Sequence, residues 1–178
     1  MEVKKIPEPG LEFYKNPSYP VDDPRYGLEK FKPFDKDTRP FSEISALAIG
    51  PSGLEKAFRS FWQKLLKGIT KQETTDVPYK LGIEELFQLN GITSSEDLEF
   101  YKIEDYAGEL NKRYELALQK CIEKKRKESI ILLIQPEDER NFDFRNDLKL
   151  KLIKEKIKSQ FVRAQTLLKN RFPWRGLE

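Results

Sequence analysis

The sequence has no histidine and a single cysteine, Cys121, among its 178 residues. These shortages exclude disulfides within the chain, zinc sites built from cysteine and histidine, and every nucleophilic triad with a histidine base. No apolar run approaches the ~20 residues that a membrane-spanning helix needs. The start of the sequence also lacks the hydrophobic region of a signal peptide. We therefore expect a cytoplasmic protein that does not contact membranes.

Carboxylates are abundant, but no acid–base pair or nucleophile stands out among them. Glu137, Asp138 and Glu139 follow a predicted strand, and they are the best candidates for a metal cluster. Adjacent acids point in different directions, so a solvated loop explains them better than a metal site. We predict a binding module rather than an enzyme, with no metal site and no cofactor.

The apolar patterns predict an α/β fold. Apolar runs at 44–49 and 129–134 and a short strand at 159–163 alternate with helical patterns at 54–65, 107–126 and 143–156. This alternation is typical of a Rossmann-like parallel sheet flanked by helices. Between 68 and 106 the pattern is less regular and predicts only a short helix near 83–89 and a strand or turn near 98–103.

The first 41 residues differ from the rest of the chain. They contain most of the prolines and several aromatic residues, a composition that predicts an extended arm docked onto a folded body. We therefore divide the chain into an arm at 1–41 and an α/β domain at 42–178.

The turn at 50–53, G-P-S-G, lies between a predicted strand and a predicted helix. We expect Ser52 to cap that helix. A turn of this kind can cradle phosphate, but this one lacks the lysine of a P-loop and the G-x-G-x-x-G pattern, so an ordinary turn is favoured.

Charge is distributed unevenly along the chain. Residues 1–119 hold 17 Lys and Arg against 21 Asp and Glu, a net of −4, whereas residues 120–178 hold 16 against 9, a net of +7. The run K-K-R-K at 124–127 is best explained as a solvated helix end, where cations suit the helix dipole. The basic part of the chain nevertheless favours a polyanionic partner.

The predicted helix at 143–156 carries two cations on its apolar side. At about 100° per residue, its apolar arc consists of Leu148, Leu150, Leu152 and Ile153. Arg145 and Lys149 fall inside this arc, and burying them without partners costs several kcal/mol. Either they await an anion, or the helix is only loosely amphipathic, with Lys149 reaching water and Arg145 in a frayed first turn. Geometry leaves both interpretations open.

Two sets of motifs resemble one protein family. The first set consists of Arg145, Lys149 and the segment I-K-S-Q-F-V at 157–162. It is similar to a pattern in which a helix carries a basic or aromatic residue and a lysine four positions later, and the segment I-P-S-Q-[FV]-[VI] follows that helix. The second set lies near the start of the chain and consists of L-E-F at 11–13, D-P-R-Y-G-L at 23–28 and K-P-F-D at 32–35. It is similar to the N-terminal pattern L-x-F … D-P-R-x-G-L … G-P-F-D of the same family. Lys32 stands in the place of the glycine of that pattern. Together they resemble the MID domain of Argonaute and Piwi proteins, most closely that of short prokaryotic Argonautes.

The resemblance implies a nucleic-acid-binding module of a prokaryotic defence system. A MID pocket holds the 5′ phosphate of a short single-stranded guide, RNA or DNA, and a divalent cation can accompany that phosphate. By this resemblance Lys149 and Gln160 contact the phosphate, Arg145 takes a position often held by tyrosine, and Lys169 is a fourth candidate ligand. The chain has no PIWI domain, so we expect no guide-directed cleavage. The alternative is a protein-interaction subunit with a degenerate pocket that pairs with a PIWI-like or effector partner.

Overall fold

The computed structural model of the chain describes residues 24–33, 43–68, 81–124, 129–136 and 142–168. In chain order its elements are α1 (Pro24–Phe31), β1 (Glu43–Gly50), α2 (Glu55–Lys67), α3 (Ile83–Leu86), β2 (Gly91–Ile92), β3 (Glu99–Lys102), α4 (Leu110–Lys124), β4 (Ser129–Gln135), α5 (Phe142–Lys154), β5 (Lys158–Arg163) and α6 (Ala164–Leu168). Within these described residues, no helix has the length and apolarity to cross a lipid bilayer.

The five strands form one parallel sheet in the order β2-β1-β4-β5, and β3 also pairs with β1. β2 pairs with the start of β1 and β3 with its end. Between these two pairings, the N–H of Ala46 donates to Oγ1 of Thr93 at 2.9 Å. The predicted Rossmann-like α/β fold is therefore confirmed.

Helices cover both faces of the sheet. Alternate residues of a strand point to opposite faces, so β1 and β4 contribute side chains to two separate cores. One core, beneath α4 and α5, includes Leu47, Ile49, Ile131, Leu133, Tyr114, Leu118, Leu148, Leu152, Ile157 and Phe161. The other core, beneath α2 and α6, includes Ala46, Ala48, Leu132, Ile134, Phe58, Trp62, Leu65, Val162 and Leu167. Cys121 is a free, fully buried thiol in the first core, as predicted.

The turn that follows α5 contains a residue with left-handed backbone. Lys156 has φ +54°, its N–H donates to the carbonyl of Ile153 at 2.9 Å, and the next N–H, of Ile157, donates to the carbonyl of Leu152 at 2.8 Å. This pair of bonds is the Schellman motif, which usually has glycine in the place of Lys156. Ile157 and Leu152 also pack in the same core. The turn thus fixes where β5 begins relative to α5.

The N-terminal arm is not extended throughout. Pro24–Phe31 forms the helix α1, contrary to the prediction, and residues 1–23 and 34–42 lie outside the described residues. The residue after α1, Lys32, has φ +69°, and its N–H donates to the carbonyl of Leu28 at 3.2 Å. Glycine is the residue that adopts this conformation at least cost. Lys32 is the position at which the Argonaute lead-in usually has glycine.

Candidate functional site

Two leucines of α5 face the core. Leu148 and Leu152 are 2% and 0% exposed, and Arg145 and Lys149 are half-buried beside them. The predicted apolar arc was too broad, because Leu150 and Ile153 are 55% and 59% exposed. Leu148 and Leu152 are four residues apart and form a narrow buried stripe along residues 145–154, the part of α5 whose side chains are described. The two cations therefore border the core, and the two exposed aliphatic side chains face outward.

Lys149 is held by β5. Its Nζ donates to the carbonyl oxygen of Ser159 at 2.7 Å and to Oγ of the same residue at 3.2 Å. An ammonium group has three N–H donors, so two of them are engaged in this contact. Sequence reasoning missed Ser159, since the shorter of the two contacts is to its backbone carbonyl, which leaves no signature in residue type.

Arg145 lies against an aromatic ring of β5. Its guanidinium carbon is 5.4 Å from the centroid of the Phe161 ring, which is within the range of a cation–π interaction. Among the described residues, no carboxylate lies within 4.0 Å of the nitrogens of Arg145 or Lys149. Two half-buried cations thus share one side of α5 without a described counter-ion.

Gln160 lies on the other face of the sheet. Phe161 packs in the core beneath α5 and Val162 in the opposite core, so strand alternation places the side chain of Gln160 on the side of Val162. Its Nε2 donates to the carbonyl of Phe161 at 3.2 Å. The structure brings Arg145 and Lys149 together with Ser159 and Phe161, and it does not bring Gln160 to the same face. Counting alternate residues back from the apolar Val162 could have revealed this.

Lys169, the fourth candidate ligand, lies outside the described residues.

The G-P-S-G turn already has an anionic partner. Ser52 belongs to a short 3-10 turn, and its side chain caps no helix, contrary to the prediction. Its backbone N–H donates to Oε2 of Glu104 at 2.9 Å. This N–H of the turn therefore already has a carboxylate acceptor, and the preference for an ordinary turn stays a prediction.

The structure describes only part of the other two charged segments, the basic run at 124–127 and the acids at 137–139. Lys124 of the K-K-R-K run lies 3.4 Å from Oε2 of Glu99 and over the ring of Tyr101, at 5.7 Å from its centroid. The remaining residues of this run and the acids at 137–139 lie outside the described residues. In the described ranges, no group of three or more cysteines and acids could hold a metal ion. Arg145 and Lys149 are themselves cations, so they do not fit a divalent cation without a ligand that brings its own oxygens.

Comparisons with known proteins do not extend these observations. A scan against models of protein families and a search of curated proteins found no match to this chain. The fold and the placement of the side chains are therefore the basis for a functional proposal, and the resemblance to the MID domain stays a prediction.

Proposed function

We propose that this chain binds the 5′-phosphorylated end of a short single-stranded guide, RNA or DNA, and has no catalytic activity of its own. It would act as a MID-like module of an Argonaute-type defence system in the cytoplasm. The observation that carries the proposal is the pair of half-buried cations on α5, Arg145 and Lys149, with no described carboxylate beside them.

The chemistry of a terminal phosphate fits this pair. Side chains four residues apart on a helix lie about 6 Å from each other, a separation that one phosphate group can bridge. A terminal phosphate carries nearly two negative charges and several acceptor oxygens, which suit a guanidinium and an ammonium. Residues 120–178 carry a net charge of +7, from 16 basic and 9 acidic side chains, and this excess would attract the rest of the guide.

The test is phosphate dependence. The affinity for a short single strand bearing a 5′ phosphate is compared with that for the same strand bearing a 5′ hydroxyl, at moderate salt. The wild-type chain should prefer the phosphate, and the double variant Arg145→Ala/Lys149→Ala should lose the preference. Lys151→Ala and Lys154→Ala together provide the matched control, because both lysines are exposed on the same helix. Equal, salt-sensitive binding of both strands by the wild type would reject the proposal.

One observation favours the alternative, a protein-interaction subunit that pairs with a PIWI-like or effector protein. Leu150 and Ile153 are more than half exposed on the helix that carries the cations. Aliphatic side chains next to each other on a helix surface are suited to contact with a protein. This alternative predicts that the wild-type chain shows no preference between the two strands.

A further inference from the structure

We propose that Arg145, positioned by Phe161, provides most of the discrimination for a terminal phosphate, and that Lys149 chiefly ties α5 to β5. This inference rests on the proposed function. It concerns the unequal roles of the two cations, and it adds Phe161 as a positioning residue.

The contacts of Lys149 limit what it can offer a ligand. Two of its three N–H donors point at the oxygens of Ser159, at 2.7 and 3.2 Å. A swing of the ammonium toward a ligand would break bonds that join α5 to β5 in a half-buried place, where an unsatisfied carbonyl is costly. Lys149 can therefore give a phosphate one hydrogen bond together with its charge.

The described contact of Arg145 with Phe161 uses none of the N–H donors of the guanidinium, which can therefore bind a ligand. Phe161 meets the guanidinium through the ring, with the guanidinium carbon 5.4 Å from the ring centroid. The five N–H donors of a guanidinium lie in its plane and form a fork that matches two oxygens of one phosphate. No hydrogen bond from this guanidinium to another described residue is present. Arg145 can thus make a bidentate contact that Lys149 cannot make.

Phe161 can hold the guanidinium because its own ring is fixed. It is 7% exposed and packs in the core with Leu148 and Leu152 of α5. A ring that is clamped by the core defines where the guanidinium rests before a ligand arrives, which reduces the ordering that binding would otherwise require.

The experiment measures the ratio of affinities for 5′-phosphate and 5′-hydroxyl strands in single variants. Arg145→Ala should lower this ratio at least about tenfold, the usual effect of losing hydrogen bonds to a charged group. Lys149→Gln, which keeps donors for Ser159 and removes the charge, should lower it about threefold or less. Phe161→Leu should lower it about three- to tenfold through loss of the cation–π contact. Phe161→Tyr, which keeps the ring, should retain the wild-type ratio.

A double-mutant cycle separates positioning from folding. If Phe161 acts through Arg145, then Phe161→Leu has no effect on the ratio in the Arg145→Ala background. Thermal unfolding of each variant identifies losses that arise from the fold, and the exposed Lys151→Ala controls for loss of one positive charge. Each ratio is measured on folded protein.

The outcomes distinguish this inference from the proposed function. A wild-type chain with no phosphate preference would overturn both. A wild-type preference that survives Arg145→Ala but disappears in Lys149→Gln would overturn the inference alone. A lowered ratio for Phe161→Leu in the Arg145→Ala background, or for Phe161→Tyr in the wild type, would reject Phe161 as a positioning residue.

Discussion

At position 156, glycine should give a more stable protein than alanine. Lys156 adopts φ +54° at the end of α5, and left-handed backbone costs a residue with a side chain roughly 1–2 kcal/mol. Glycine removes this strain but adds about 0.5–1 kcal/mol of backbone entropy in the unfolded chain. Replacement also removes a cation near the C-terminus of a helix, which contributes roughly 0.3–1 kcal/mol. A comparison with the wild type alone would mix these effects.

Lys156→Ala is the matched reference for this change. Both variants lose the charge and the exposed side chain, but alanine keeps the strain of the left-handed conformation. We expect Lys156→Gly to be more stable than Lys156→Ala by about 1 kcal/mol. In urea this difference corresponds to a midpoint shift of roughly 0.5 M at an unchanged slope.

The assay is equilibrium unfolding in urea, followed by circular dichroism and tryptophan fluorescence. The expected order of midpoints places glycine above alanine. Equal midpoints, or alanine above glycine, would refute the reasoning that the Schellman turn between α5 and β5 is strained. A change in slope would instead indicate an altered native or denatured state.

Three further predictions concern other parts of the fold. The hydrogen bond from Arg59, aided by Lys102, holds the pKa of Glu55 below its ordinary value of 4.5. The contribution of ionised Glu55 to the free energy of unfolding is therefore complete above that pH and is lost as the pH falls through the lowered pKa. The loss of stability that Glu55→Gln causes, measured by unfolding in urea, should therefore be smaller at acid pH than at neutral pH. Burial raises the pKa of the Cys121 thiol, so a thiol-specific reagent should modify it only in step with unfolding. Gly50→Ala would place a Cβ 2.7 Å from Cβ of Ile134 and should cost about 1–3 kcal/mol in thermal or urea unfolding; a neutral effect would show that β4 can shift.

The sequence predicted the central strands well because they are buried on both faces. β1 and β4 contain apolar runs that no polar alternation interrupts, a pattern typical of buried parallel strands. β5, at the edge of the strand order, has only Phe161 and Val162 as apolar residues. β2 and β3 have two and four residues and depend on pairing with the distant β1, so local pattern could not define them. α1 was missed because its proline-rich surroundings favoured extended chain.

The candidate site was predictable where helix spacing determines it. Arg145 and Lys149 share a side of α5 because they are four residues apart. The place of Gln160 depends on strand alternation, which the motif alone does not reveal. The contact between Lys149 and the carbonyl of Ser159 depends on how closely α5 approaches β5, and that distance is set by packing in the core.

The strand order has a consequence for synthesis on the ribosome. Ala46 in β1 pairs with Ile130 in β4, so the apolar β1 emerges well before its central neighbour exists. At about 5–20 residues per second, it would wait roughly 4–17 s before that partner is made. During this interval a strand destined for full burial is open to aggregation or chaperone binding.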